Sequence, residues 1–333
     1  TDALKAATGF DKFVNDYPKS KYSHRALYAA MVIYDEANQL DLAIRAGKRL
    51  LKEYKDSDRI KPTIGYLASF HDRIADFGTA AMYNERYFNK WLDQEGKSGN
   101  KKKKKKAKKR RRRRGKKAED EKKVVLITDK EASDALYNAA LLRESMGQYA
   151  KAIKNYGLYI KHFPDNDDTP ELFLKVGKIY QQQNKWRNAD RVYSGYLEKY
   201  ADRSTPGRML NVLYRHAMAL REMKKVKDSD KLLDKIIEQY NKLDEKARDS
   251  EAKLAVAHSR FLQIQPEFNE YIDLKLVLPP RTLKRNLFKK IESRPKLEKK
   301  YEEIISYGDP DWSVASLVRI AELSKDLGRS MLD

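Results

Sequence analysis

The sequence predicts an all-α fold: a solenoid of antiparallel helix pairs interrupted by a disordered polybasic insertion. Three observations carry this. Apolar and small residues recur three and four apart along most of the chain, the signature of one buried helix stripe. A helix–turn–helix layout returns five times in phase. Residues 97–117 hold 16 Lys or Arg and no Asp or Glu, so they have nothing to bury.

Composition bounds the rest. Of 333 residues, 41% are hydrophobic, enough to build a core. The formal charge is +22, and +6 remains once residues 97–117 are set aside, so one segment carries the imbalance. There is no Cys, which excludes disulfides, thiolate zinc sites and Cys nucleophiles. No apolar run approaches the ~20 residues of a membrane-spanning helix.

In chain order, the first unit shows only its second helix, with Phe10, Phe13, Tyr17 and Pro18. Its first helix would lie before Thr1, and the opening without Met agrees with upstream sequence having been removed. A full copy follows with Leu27, Ala30, Met31, Tyr34, Leu40, Ala43, Gly47 and Leu50, then a weaker one with Ile64, Leu67, Ala68, Phe77, Ala80, Tyr87 and Trp91. Residues 1–93 form this first repeat segment. Residues 94–130 are a linker, in which KVVLIT at 123–128 is a short extended stretch that packs back.

Residues 131–243 form the second repeat segment. Its first copy has Leu136, Ala139 and Ala140, a turn at Gly147 and Tyr149, then Ala152, Tyr156 and Tyr159 before Pro164. Phe173, Val176, Gly177, Tyr180, Trp186, Ala189, Tyr193 and Tyr196 repeat the layout, as do Leu213, Ala217, Leu220, Val226, Ser229, Leu233 and Ile236. Small residues (Ala140, Gly177, Ala217, Ala152, Ala189) let paired helices approach closely, and aromatic residues fill the space to the next pair. Thr169 with Pro170, and Asp309 with Pro310, mark helix starts as N-cap and first helical residue. DNDD at 165–168 lacks the Gly and distal Glu of a calcium loop and reads as loop and cap. Residues 244–333 are an irregular helical extension punctuated by Pro266, Pro279–Pro280 and Pro295, ending in a repeat-like helix pair.

The spacing of these copies resembles the tetratricopeptide repeat family, whose unit is 34 residues. The resemblance covers roughly residues 1–93 and 131–243, departing at Met31, Gly47 and Ser229. The tail, with Tyr271, Leu274, Lys275, Tyr301, Asp309, Trp312, Ala315 and Ile320, resembles large repeat proteins of the deltaproteobacterial cell envelope, some associated with gliding motility. FVNDYPKSKYSHRALY at 13–28 is similar to periplasmic repeat proteins of the Tol–Pal and outer-membrane assembly systems. These resemblances imply a bacterial envelope or periplasmic location; the alternative is cytoplasmic or nuclear.

Nothing in the sequence supports an enzyme. His24, His71, His162, His216 and His258 form no close metal-ligand pair, and His71 and His216 fall on faces the repeat would bury or half-bury. No GxGxxG, P-loop or GxSxG occurs, and acidic neighbours such as Glu302–Glu303 diverge by ~100° on a helix. No cofactor, metal or small-molecule substrate is expected.

The family resemblance implies instead a concave wall of first helices that holds a peptide or helix of a partner protein. The matching positions are Arg25, Tyr28, Val32 and Asp35; Asp134, Tyr137, Leu141 and Glu144; Glu171, Leu174, Lys178 and Gln181; and Asn211, Tyr214, Met218 and Arg221. The bland alternative is a solvated polar face. Chaperone-binding members clamp a C-terminal carboxylate with Lys and Asn; Tyr137 and Leu141 at the matching wall do not fit that role.

The basic block offers a second contact, through Lys101, Lys102, Lys103, Lys104, Lys105, Lys106, Lys108, Lys109, Arg110, Arg111, Arg112, Arg113 and Arg114. Such a run attracts nucleic-acid phosphate, anionic lipid or acidic polymer without sequence preference. No aromatic residue interleaves it, which disfavours single-strand stacking. The expectation is a non-catalytic scaffold in a multiprotein envelope assembly. A nucleic-acid-associated adaptor is the alternative, and a glycosyl-transferring or hydrolytic enzyme ranks last.

Overall fold

The computed structural model describes residues 2–108 and 126–332, with 97–108 and 331–332 described as helix backbone only. The described residues form fourteen α-helices, two short 3₁₀ turns and no strand. The helices are α1 (Asp2–Asp16), α2 (Ser23–Glu36), α3 (Leu40–Glu53), α4 (Ile60–Arg73), α5 (Phe77–Lys108), α6 (Asp129–Ser145) and α7 (Tyr149–His162). They continue with α8 (Thr169–Gln182), α9 (Trp186–Lys199), α10 (Pro206–Glu222), α11 (Val226–Asn241), α12 (Ser250–Asp273), α13 (Pro280–Ser306) and α14 (Pro310–Leu332). This is the all-α, tetratricopeptide-type array of helix pairs expected from the sequence. The chain divides into two compact units, Thr1–Leu172 and Phe173–Asp333.

The turns within five helix pairs, and the turn that leads from α13 into α14, repeat one backbone solution. Asn38, Ala75, Gly147, Asn184, Lys224 and Gly308 all have φ between 54° and 75°. A left-handed residue after a helix lets the next N–H reach back to a carbonyl five residues earlier, closing the helix end. That bond is present from Gln39 to Tyr34, Asp76 to His71, Gln148 to Arg143, Lys185 to Tyr180 and Lys225 to Leu220, at 2.7–2.9 Å. Only two of the six positions are Gly, so most of these turns were invisible to a search for Gly.

In the first unit, Leu27, Ala30, Met31, Ala43, Leu50, Ile64, Leu67 and Phe70 form one buried core between α2, α3 and α4. Further along, Arg143 of α6 is almost fully buried and donates from Nε and Nη2 to Glu85 of α5 at 2.9 and 3.0 Å. Asn155 of α7 donates to the same carboxylate at 3.0 Å. Burial acts to raise the Glu85 carboxyl, but the Arg143 and Asn155 bonds outweigh it and hold it below the usual range.

The described residues on either side of the basic segment pack together within this first unit. Trp91 of α5 donates to Asp129 of α6 at 2.9 Å, and Gln94 exchanges hydrogen bonds with the backbone of Ile127 at 2.9 and 3.0 Å. Ile127 is buried, so its part of the expected packing-back stretch does return to the core; residues 123–125 lie outside the described residues. α5 runs through residues 94–108, where a linker was expected to begin. Lys and Ala are good helix formers, and no Pro interrupts them. Lys109 and Arg110–Arg114 lie outside the described residues, and the side chains of Lys101–Lys106 and Lys108 are not described.

The second unit has its cores around Tyr193 and Tyr196, around Leu213, Leu233 and Ile236, and around Phe261, Tyr301 and Ile304. Its tail is more regular than expected. Pro266 and Pro295 do not break the chain but sit inside α12 and α13. Both are exposed, where carbonyls left without a helical donor can be hydrated. Asp309 caps α14 as expected, accepting from the Trp312 N–H at 3.0 Å. Thr169 does not cap α8: the helix already includes it, and its buried hydroxyl donates back to the Phe163 carbonyl at 2.6 Å. Ser23 makes the same backward bond to Tyr17 at the start of α2.

Candidate functional site: the first-helix wall

Small residues decide how close each pair comes. Ala140, Ala152, Ala189 and Ala217 have no exposure, and Gly177 lies directly under the Tyr193 ring. These pairs therefore close through small residues, Ala or Gly, and first-helix positions facing away from that seam form the wall.

Several expected wall residues are committed to the fold. Leu174 is only 2% exposed and packs among Tyr193, Val212 and Ala219, so it is core rather than contact surface. Glu144 accepts from the buried Tyr156 hydroxyl at 2.6 Å, and Gln181 accepts from Tyr193 at 2.9 Å. A buried phenol needs an acceptor, and the wall residue twelve positions earlier supplies it. Asn211 is buried and accepts from Arg215 at 2.8 Å.

Other positions present surface. In the first unit, Arg25 is exposed, while Tyr28, Val32 and Asp35 are half-buried. Tyr28 meets Tyr66 edge-on at 6.1 Å with the Arg59 guanidinium 5.1 Å from its ring, and Asp35 is paired with Arg73. Asp134 is exposed; Tyr137 packs edge-on to Tyr159 at 6.4 Å. Leu141 lines a shallow depression with Ala68, Ser69, Asp72 and Asn138. In the second unit, Lys178 is half-buried on α8. Glu171, assigned to the first unit by its position, is exposed.

The densest arrangement lies across α10, α12 and α14. The Tyr214 hydroxyl is 2.5 Å from His258 Nδ1, with ring centroids 5.1 Å apart. His258 stacks on Trp312 at 3.6 Å and 17°, and Trp312 packs on Phe261 at 5.0 Å. Met218 is half-buried beside this line, and Arg221 is half-buried and paired with Asp230 at 2.9 Å. Burial pushes the Tyr214 phenol up to about 12. Burial first, and then the charge of Arg221, brings His258 down to about 4. Both rings are thus uncharged at neutral pH.

The sequence reading placed Tyr214, Met218 and Arg221 on this wall and missed His258. The irregular spacing after α11 hid that α12 is the next first helix. Its signal was an aromatic-type residue in an otherwise Ala-rich helical stripe. Among the described residues no three His, Asp or Glu side chains converge on a metal position. His71 and His216 are tied to Asp76 at 2.9 Å and Asp190 at 2.7 Å, buried and half-buried as expected.

Residues 134–166, 171–203 and 211–241 match the tetratricopeptide repeat family. These are the pairs α6–α7, α8–α9 and α10–α11. A comparison with curated proteins found no match. Solved structures give weak likenesses. BtubC from P. vanneervenii is 10% identical, covering 70% of this chain and 86% of that one at a TM-score of 0.33. The C-terminal part of a repeat-containing protein from Cytophaga hutchinsonii is 12% identical, covering 99% and 93% at 0.35. The apo quorum sensor NprR from B. thuringiensis is 13% identical, covering 99% and 82% at 0.35. Scores this low carry no inference about this chain. By sequence match and by helix pairing together, three successive helix pairs of this chain are tetratricopeptide repeats.

Proposed function

We propose that this chain is a non-catalytic scaffold whose first-helix wall in the second unit binds a segment of a partner protein. The observation that carries this is the ring line Tyr214–His258–Trp312, which runs across three neighbouring first helices with Met218 and Arg221 beside it. Half-buried aromatic residues with a long flexible Met and an Arg are the composition of contact hot spots. Rigid neighbours hold them in place, so little side-chain entropy is lost on binding.

The reading extends to a multiprotein, motility-associated assembly of the bacterial cell envelope; the resemblances of residues 13–28 and of the tail support it. Residues 101–117 would add an electrostatic contact with anionic lipid or polymer. Their density of Lys and Arg equally supports a second reading, an adaptor held on nucleic-acid phosphates.

Placing a photo-crosslinking side chain at Met218 tests the wall. In native extract it should capture a discrete protein, while the same group at Lys235 on α11 should not. Capture from position 235 with none from 218 would move recognition off the wall.

A further inference from the structure

A second surface lies on the loop between α12 and α13 and on the first half of α13. From Lys275 to Ile291 the chain carries six Lys or Arg and no Asp or Glu. Within the same stretch Leu278 is 76% exposed, Phe288 63%, Val277 52% and Ile291 48%. On α13 the spacing places Arg281, Lys284, Arg285, Phe288 and Ile291 on one helix face, while Lys290 and Leu297 face the core. Asn286 donates to the Lys275 carbonyl at 2.8 Å, tying the start of the Val277–Leu278 loop to α13.

The cations divide into two sets. Lys289 pairs with Glu270 at 2.6 Å and Lys290 with Asp326, so both are spent within the fold. For Arg281, Lys284 and Arg285 no acidic partner occurs among the described residues; Lys284 instead lies 6.0 Å from the Phe288 ring centroid. Exposed apolar side chains framed by unneutralised cations match one environment: a bilayer surface with anionic headgroups. There the cations meet phosphate, and the apolar tips enter the headgroup–acyl boundary. Nucleic acid would satisfy the cations and could stack on Phe288, but it would leave Val277, Leu278 and Ile291, which have no ring, exposed. We propose that this face is a membrane-interfacial contact for anionic lipid, separate from the first-helix wall and independent of the basic block.

The chain contains no Cys, so Phe288→Cys creates a single thiol for an environment-sensitive fluorophore in the full protein. With vesicles of phosphatidylglycerol in phosphatidylcholine, the label should shift to the blue and brighten several-fold. It should stay silent with pure phosphatidylcholine and with duplex DNA. The same label at Lys235→Cys should not respond, even when the basic block brings the protein to the vesicle. Adding Arg281→Gln, Lys284→Gln and Arg285→Gln should raise the half-saturating lipid concentration about tenfold or more, given ~1 kcal/mol per basic residue near an anionic surface. All four positions are exposed, and unchanged helical circular dichroism verifies the fold. A silent label on vesicles that sediment the protein would assign attachment to the basic block alone and overturn the proposal. An equal response to neutral vesicles or to DNA would overturn it too. So would a response to lipid-free native extract without one to vesicles, which would make this a protein-docking face.

Discussion

The approach of α8 to α9 gives a quantitative test of how the repeat closes. A β-carbon added to Gly177 would stand 2.6 Å from Cε1 and 3.0 Å from Cζ of Tyr193. Unstrained carbon contacts lie at ~3.5–4.0 Å, so the ring must retreat by about 1 Å. It has little freedom to do so: Tyr193 is fully buried and its hydroxyl is held by Gln181 at 2.9 Å. Overpacking of this kind costs ~1–3 kcal/mol. Replacing a helical Gly by Ala returns ~1 kcal/mol of helix propensity. Gly177→Ala should therefore destabilise the second unit by up to about 2 kcal/mol. Gly195 of α9 is the matched control in the same unit. Its added β-carbon would meet Phe173 Cζ at an ordinary 3.5 Å, so Gly195→Ala should stabilise by ~0.5–1 kcal/mol. Urea unfolding followed at 222 nm should separate the two variants by roughly 0.5–3 kcal/mol, with Gly177→Ala the less stable. Gly177→Leu, with three further heavy atoms, should exceed the upper end of the overpacking range, about 3 kcal/mol. Equal stability of the two Ala variants would refute the steric account of Gly177 and the helix phase built on it.

Arg143→Met leaves the Glu85 carboxylate without its main partner; as Glu85 is partly exposed, the loss should be about 2–4 kcal/mol in urea unfolding. Lys224 has φ 63°, which costs a residue with a β-carbon ~1–2 kcal/mol, so Lys224→Gly should gain about 0.5–1 kcal/mol despite the greater freedom of unfolded Gly. His258 titrates near 4 in the folded chain against an ordinary 6.5, so the unfolded chain takes up the proton first as pH falls. Its contribution is complete above about pH 6.5 and is lost between there and about pH 4, amounting to about 2–4 kcal/mol. His258→Phe should flatten the stability–pH curve by that amount in this window; an unchanged slope would show that burial does not govern this ring. Deleting residues 97–122 should leave the melting midpoint and the helical signal per remaining residue nearly unchanged, while the steep salt dependence of heparin binding is lost.

What could be read from the amino-acid order was whatever repeats with a local period. Ala140, Ala152, Gly177 and Ala189 recur at helix-contact spacing, so the pairing of helices and their closest approaches were legible without coordinates. Asp309 was legible as a cap because a cap acts on its own helix within three residues. Thr169 looked like one for the same reason, but its hydroxyl donates to the Phe163 carbonyl before the helix; residue type does not choose between accepting from an N–H of its own helix and donating to that carbonyl.

Tertiary structure decided which wall positions are free. Glu144 and Gln181 have the polarity of a contact surface, yet each is taken by a buried phenol of the next helix. Leu174 sits at a wall position but is covered by Val212 and Ala219. The ring line joins residues 44 and 54 positions apart, Tyr214 to His258 and His258 to Trp312, through α12, whose pairing the irregular linker concealed. Pro266 and Pro295 read as breaks because proline removes a helical donor; only the solvent beside them made those losses tolerable. Periodicity is a property of one helix, and sequence records it directly. Occupancy of a surface depends on which side chains other helices bring to it, and only the packed chain sets that.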